Sequence, residues 1–283
     1  MSELLKLRNT EKMKRNYETK WSLGLIGFLG VMLAITRSAS SDWDWVRENT
    51  LVFRLCAVFL CTVFVGVSLE RSTVIQSLWE HTVTKFLVSI ILSGVVLYAR
   101  GKAAGIINEI FHIDASALPI TLVFSTAILV LKLLLPFIIV LVAILFAMHT
   151  INSLVWLHNE MSGKENIELT PLYYLLSAFV SAVIVYYGWG WSTNQLSDSR
   201  VPEKIYLMAY ALEFNHVHEC SNVAPDQPVV FLGNAQEAVL VAPEKLVDFS
   251  FSDFFEATVS VPSEFVRQRC EYKSKPSVGF QVR

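Results

Sequence analysis

Five long apolar runs dominate the first two thirds of the chain. A helix needs about 20 mostly apolar residues to cross the hydrocarbon core of a bilayer. Each run has about that length or can borrow flanking residues, so the pattern predicts about five transmembrane helices. The predicted spans are residues 21–36, 51–69, 84–99, 120–149 and 171–191. The last is the best marked, because Thr170 can cap a helix that starts at Pro171 and aromatic residues stand at both ends.

The first run has a second interpretation. A basic segment, a short apolar stretch and the sequence Ser-Ala-Ser at 38–40 resemble a signal peptide with a cleavage site. Gly24, Gly27 and Gly30 instead predict a smooth helix face for close packing. We favour a retained membrane anchor.

Beyond residue 192 the apolar runs become short and alternating. Residues 204–217 fit either a long strand or a helix followed by a strand. Residues 228–242 contain two β-rich runs on either side of Gly-Asn-Ala-Gln, which predicts a hairpin. Residues 256–261 are the third strand candidate, which Pro262 ends.

The fold class that follows is an all-α membrane bundle of about five transmembrane helices with a small C-terminal α+β or mostly-β domain. We expect a basic cytoplasmic segment at 1–20, a transmembrane helical domain at 21–192, and an extracytoplasmic domain at 193–283. A domain as small as the last has a limited core and profits from a covalent staple.

Lysine and arginine in the short loops predict the orientation. With the N-terminus in the cytoplasm, nine of these residues lie inside and four outside. The inside set is Lys6, Arg8, Lys12, Lys14, Arg15, Lys20, Arg71, Lys85 and Lys164, and the outside set is Arg37, Arg47, Arg100 and Lys102. The positive-inside rule then places residues 193–283 outside. The chain has no N-x-[ST] glycosylation acceptor, which favours a bacterial inner (plasma) membrane and a periplasmic tail.

Composition agrees with a membrane protein. The chain is 53% hydrophobic and 17% charged, with a mean hydropathy of +0.47, which is too apolar for an ordinary soluble domain. Its net charge of −2 and the lack of a basic domain give no indication of a nucleic-acid partner.

The four cysteines form two groups. Cys220 and Cys270 bracket the predicted strands of the tail, and an oxidising compartment favours a disulfide between them. Such a bond contributes on the order of 4 kcal/mol in the chain-entropy model. Cys56 and Cys61 lie in an apolar run and are interpreted as small apolar fillers.

His216 and His218 are the weak metal candidates. In an extended segment they share a face with Cys220, but the disulfide removes the thiolate from such a site. Two histidines with Glu213 or Glu219 remain as a poor ligand set. We therefore predict no metal and no cofactor.

Two cations stand within or beside the apolar runs. Lys132 lies in the fourth run, and either it snorkels or forms a structural ion pair near the outer interface, or it serves transport or gating. Arg54 lies at the outer end of the second run, where snorkelling is favoured. The nearest acidic or histidine candidates to pair with them are Glu109, His112 and Asp114.

Residues 100–119 form the most suggestive loop of the membrane half. Ile106, Ile110 and Ile113 recur at helical spacing, which predicts an amphipathic helix lying in the outer interface. Asp114 or Ser116 is then expected to cap the fourth span, with Pro119 in its first turn.

No hydrolase, metalloprotease, phosphate-loop or Cys-x-x-Cys motif occurs in the chain. The sequence therefore favours a protein that binds, as a recognition, immunity-type or accessory subunit acting through its periplasmic domain. The expected partners are the lipid bilayer and a membrane or periplasmic protein, and small-residue helix faces also fit a homo-oligomer. One alternative is a channel or transporter component that uses Lys132 and residues 100–119, and another is a membrane enzyme with an unrecognised site.

Overall fold

The computed structural model describes residues 20–35, 43–162, 171–233, 236–243, 246, 254 and 258–272. The helices in these residues are α1 (Lys20–Ile35), α2 (Asp44–Glu48), α3 (Thr50–Glu70), α4 (Thr73–Glu80), α5 (Thr82–Phe111), α6 (Pro119–Met161), α7 (Pro171–Gly190) and α8 (Arg200–Leu212). The strands are β1 (Val229–Leu232), β2 (Ala238–Val241) and β3 (Val266–Arg269). The chain is thus mostly helical, with a small sheet near its C-terminus.

Among the described residues, four helices are long and apolar enough to cross a membrane. The qualifying segments are Val52–Glu70, Thr82–Phe111, Pro119–Asn159 and Tyr173–Gln195. The last continues past α7 through a π-helical turn at Trp191–Gln195. They coincide with the second to fifth predicted runs, which confirms apolar helices there. The first run is also helical, but α1 is shorter than the other four.

The chain divides into two compact units that do not follow the order of the sequence. The helical unit contains Met1–Ile91 and Leu134–Thr193, and the C-terminal unit contains Leu92–Leu133 and Asn194–Arg283. The C-terminal part of α5 and the N-terminal part of α6 therefore fold with the tail.

Close packing of α1 organises part of the helical unit. A Cβ atom on Gly27 would lie 2.7 Å from the Phe64 ring and 3.0 Å from Val180, and one on Gly30 would lie 3.1 Å from the backbone nitrogen of Cys61. Only a residue without a side chain permits this approach to α3 and α7. The glycine face predicted for α1 is confirmed.

The C-terminal part of α5 buries one face in the core of the C-terminal unit. Residues 100–119 were expected to form an amphipathic helix in the outer interface. Helix with one apolar face is confirmed up to Phe111, but a helix separate from the preceding span is wrong, because α5 continues without a break to that residue. Its buried residues are Ala99, Ala103, Ile107, Ile110 and Phe111. They pack in one cluster with Tyr206 and Tyr210 of α8, so protein takes the place that lipid was expected to fill.

The sheet has the order β1-β2-β3 and is antiparallel throughout. Because side chains alternate along a strand, its two faces join different cores. Val230 and Leu240 face the cluster that contains α5 and α8. Val229 and Val239 face a second cluster, which the Cys220–Cys270 disulfide closes.

The β1–β2 hairpin is confirmed, and Gly233 in its loop has the positive φ of 74° that favours glycine. The third strand was placed wrongly. Among the described residues of 256–261, Thr258–Val261 form no strand, and Val259 and Val261 pack into the core instead. The strand at Val266–Arg269 was missed because an edge strand with polar side chains has no hydrophobic alternation to reveal it.

Candidate functional site

The turn between α5 and α6 is built by local hydrogen bonds. His112 follows the end of α5 in a left-handed conformation, with φ of 54°. The Asp114 carboxylate accepts a hydrogen bond of 2.7 Å from the backbone N–H of Ser116. Hydrogen bonds from the side chain and backbone of Ser116 hold the pKa of Asp114 below its usual value. Asp114 is therefore a fixed, ionised carboxylate at neutral pH.

Glu213, at the end of α8, caps the N-terminus of α6. Its carboxylate accepts hydrogen bonds from the backbone N–H groups of Ile120, at 2.8 Å, and Thr121, at 3.0 Å. It also accepts one from the Thr121 hydroxyl. Asp114 or Ser116 was expected in this role, which is wrong, because Asp114 instead caps the short 3₁₀ turn Ala115–Ala117.

Lys132 forms an ion pair with Asp198, in the segment before α8. The Lys132 Nζ lies 2.7 Å from the Asp198 carboxylate, and the Lys102 Nζ lies 4.0 Å from the same oxygen. The hydrogen bond and charge of Lys132, with the charge of Lys102, lower the pKa of Asp198. This contact comes from Asp198, over sixty residues away in the sequence. It does not come from the expected partners Glu109, His112 and Asp114.

A cleft of about 350 Å³ opens between the end of α5 and one face of the sheet. It is lined by Asn108, His112, Ile113, Asp114, Ala117, Leu232 and Arg267. Two of these, His112 and Asp114, were candidates from the sequence. The others were missed, because the walls come from segments that lie far apart in the chain.

Strand pairing places Arg267 on the wall of this cleft. Arg267 pairs with Leu240, whose side chain belongs to the core shared with α5. Phe265, two residues earlier and thus on the same face, packs against Phe111 with ring centroids 5.0 Å apart. The cleft is therefore the open margin of a well-packed aromatic core.

Opposite charges stand on the two walls. Asp114 belongs to the α5–α6 turn and Arg267 to β3. Among the ion pairs within the described residues, neither takes part. Asn108 and His112 add polar groups from α5, and all four polar residues are exposed to solvent.

The remaining sequence candidates have structural contacts elsewhere. His218 Nε2 lies 2.9 Å from the carbonyl oxygen of Gln227, and the His216 ring contacts Tyr210 with centroids 5.2 Å apart. Within the described part of the chain, no three histidine, cysteine or acidic side chains are grouped to hold a metal ion. Arg54 lies in α3 of the helical unit, partly exposed.

Two buried basic side chains among the described residues were not anticipated. Lys204 of α8 is 2% exposed and donates a 2.7 Å hydrogen bond to the carbonyl oxygen of Phe254. His149, in the helical unit, lies against the rings of Tyr173 and Tyr174. Neither ring nitrogen of His149 has a hydrogen-bond partner in the described residues. Their only sequence signal is a polar residue within a helical apolar pattern.

Comparison with known proteins finds no matching family model, no matching curated protein and no matching solved structure.

Proposed function

We propose that this protein is a multi-pass membrane protein that acts by binding, through its C-terminal unit, on the periplasmic side of a bacterial inner membrane. The observation that carries the proposal is the cleft on that unit, with charged walls set on a packed core. Rigid scaffolds that present a few polar groups in a concavity are typical of recognition sites. The occupant is a ligand or partner protein, as for an accessory or immunity-type subunit.

Two observations support the location. Four apolar helices are compatible with the membrane, and a disulfide in the C-terminal unit fits an oxidising compartment. The distribution of lysine and arginine favours a cytoplasmic N-terminus. With α1 as a fifth crossing beside the four longer helices, this orientation leaves the C-terminal unit on the periplasmic side.

Cysteine labelling tests this topology. An impermeant maleimide should label Val217→Cys, which is 90% exposed, in intact cells whose native Cys56 and Cys61 are replaced by serine. Ser77→Cys in α4 should react only after permeabilisation. The reverse pattern would overturn the proposed orientation.

Photo-cross-linking in intact cells tests the binding function. A photoreactive amino acid at Leu232, in the cleft, should give an adduct of discrete mass. The same amino acid at Leu97, which is 70% exposed on the apolar part of α5, is the matched control for lipid and random contacts. An adduct absent at Leu232, or identical at both positions, would count against recognition at the cleft.

The channel or transporter alternative has less support. Its key residue, Lys132, forms an ion pair with Asp198 at 2.7 Å, so its charge has a partner without a pore. Loss of solute flux in liposomes on Lys132→Met, with the fold retained, would favour that alternative.

A further inference from the structure

We infer that the cleft binds a small zwitterion with a free amino group and a free carboxylate, such as an amino acid or a short peptide with unblocked ends. The inference rests on the proposed binding function and gives it a ligand class. It is carried by the opposite charges of Asp114 and Arg267 on the two walls of one cleft.

The two charges favour a ligand that carries both signs over one that carries a single sign. A purely anionic molecule would meet the Arg267 guanidinium but also the Asp114 carboxylate, and a purely cationic one would meet the reverse. Like charges brought together in a site are destabilising. A molecule with an ammonium and a carboxylate group can place each charge beside the residue of opposite charge.

Each wall has the chemistry that its half of the ligand needs. A guanidinium is planar and donates two parallel hydrogen bonds to a carboxylate. A carboxylate has several acceptor positions. Asp114 can therefore accept the hydrogen bond from the Ser116 N–H and a further one from the ammonium group of a ligand. The Ser116 hydrogen bond fixes Asp114 before the ligand arrives, which lowers the ordering cost of binding.

The rest of the lining suits the body of such a ligand. Asn108 and His112 offer hydrogen bonds to a peptide group, while Ile113, Ala117 and Leu232 form an apolar surface for one side chain. A volume of about 350 Å³ lies at the small end of the range for small-molecule sites, roughly 300–1,000 Å³.

The test is calorimetry on the full chain in detergent or nanodiscs. The probes are leucine and leucylglycine, with N-acetylleucine and leucinamide as analogues that lack one charge. We expect the zwitterions to bind and each blocked analogue to bind roughly tenfold or more weakly, the size of losing one charged hydrogen bond.

Variants then assign each charge to its wall. Asp114→Asn should remove the preference for leucine over N-acetylleucine, which lacks the charged amino group, and should keep the preference over leucinamide. Arg267→Gln should remove the preference for leucine over leucinamide, which lacks the carboxylate, and should keep the preference over N-acetylleucine. The matched controls are Glu109→Gln and Arg269→Gln, which lie outside the lining and should leave both preferences unchanged. If Asp114→Asn fails to fold, Arg267→Gln, on an edge strand, still tests whether the preference for leucine over leucinamide comes from the cleft.

Three results would overturn the inference. The first is no binding of either zwitterion by the folded protein at millimolar concentration. The second is equal binding of the blocked analogues. The third is binding of glycerophosphoethanolamine alone, which would point to a lipid headgroup instead. A persistent cross-link at Leu232 together with any of these results would leave recognition at the cleft standing and the ligand class wrong.

Discussion

Glu213 and Thr121 are joined by two hydrogen bonds across 92 positions of the chain. The carboxylate accepts from both the backbone N–H and the hydroxyl of Thr121, in the first turn of α6. The first turn of a helix has unpaired N–H groups and the positive end of the helix dipole, so a carboxylate stabilises it. A residue of the tail therefore completes the start of the longest apolar helix.

Removing this cap should destabilise the C-terminal unit. We expect Glu213→Ala to lower the free energy of unfolding by about 1–2 kcal/mol, the upper range for helix caps, and Glu213→Gln by less, because the amide oxygen still accepts. Thermal unfolding in detergent measures both. Glu219→Gln, an exposed neighbour, is the control, and an equal effect there would contradict a specific cap.

The Lys132–Asp198 pair should make stability depend on pH in acid. The pKa of Asp198 is lower in the folded protein than its ordinary value of 3.8. Its contribution is therefore complete above that value and is lost as pH falls through the lowered folded pKa. The side chain of Asp198 is 88% exposed, so we expect a double-mutant coupling with Lys132 below about 1 kcal/mol, which added salt weakens.

Asp198→Asn should remove this part of the acid dependence and leave the remainder. The measurement is the unfolding temperature of the unchanged protein, Asp198→Asn and the control Asp226→Asn, from pH 6 down to the lowest pH at which the protein stays folded. If Asp198→Asn leaves the dependence of the unfolding temperature on acid pH unchanged, the ion pair does not contribute to stability.

Glycine at position 27 should be essential for packing α1 against α3 and α7. A Cβ atom there would lie 2.7 Å from the Phe64 ring, and such overpacking costs typically about 1–3 kcal/mol. Gly66→Ala is the matched control, because nothing lies within 4 Å of its added Cβ. Alanine there should be neutral or stabilising, up to about 1 kcal/mol, from helix propensity. Equal stability of the two variants would show that α1 is not closely packed.

The Cys220–Cys270 disulfide should stabilise the C-terminal unit substantially. The bond closes a loop with a sequence separation of 50, for which the chain-entropy model gives on the order of 4 kcal/mol. Replacing both cysteines by serine should lower the unfolding temperature by several degrees, whereas serine at Cys56 should not. Two reactive thiols in the unreduced native protein, beyond Cys56 and Cys61, would refute the bond.

The sequence predicted what depends on local pattern. Apolar runs, the proline that opens α6, the β1–β2 hairpin and the cysteine pairing each have a signal within a few residues or in residue type. The interfacial helix was wrong for a related reason. Helical spacing of Ile106 and Ile110 shows that a face is apolar, but it does not show whether lipid or protein covers that face.

The candidate site was only half predictable. His112 and Asp114 were named from the sequence, but as ion-pair candidates for Lys132 or Arg54 and not as residues that line a cleft. Arg267 and Asn108 were not candidates, because their positions depend on the pairing of β3 with β2 and on the continuation of α5. The same limit applies to Asp198 and Glu213, since tertiary contacts over such separations leave no periodicity in the sequence.

The discontinuity of the C-terminal unit has a consequence for its synthesis. Phe111 is made about a hundred residues before its partner Tyr210, which at ~5–20 residues per second is on the order of ten seconds. Through that interval the apolar face of α5 has no α8 to cover it, while α6 and α7 are still being inserted. We therefore expect chains that are cut short before α8 to keep that apolar face exposed, which is the feature that chaperones bind.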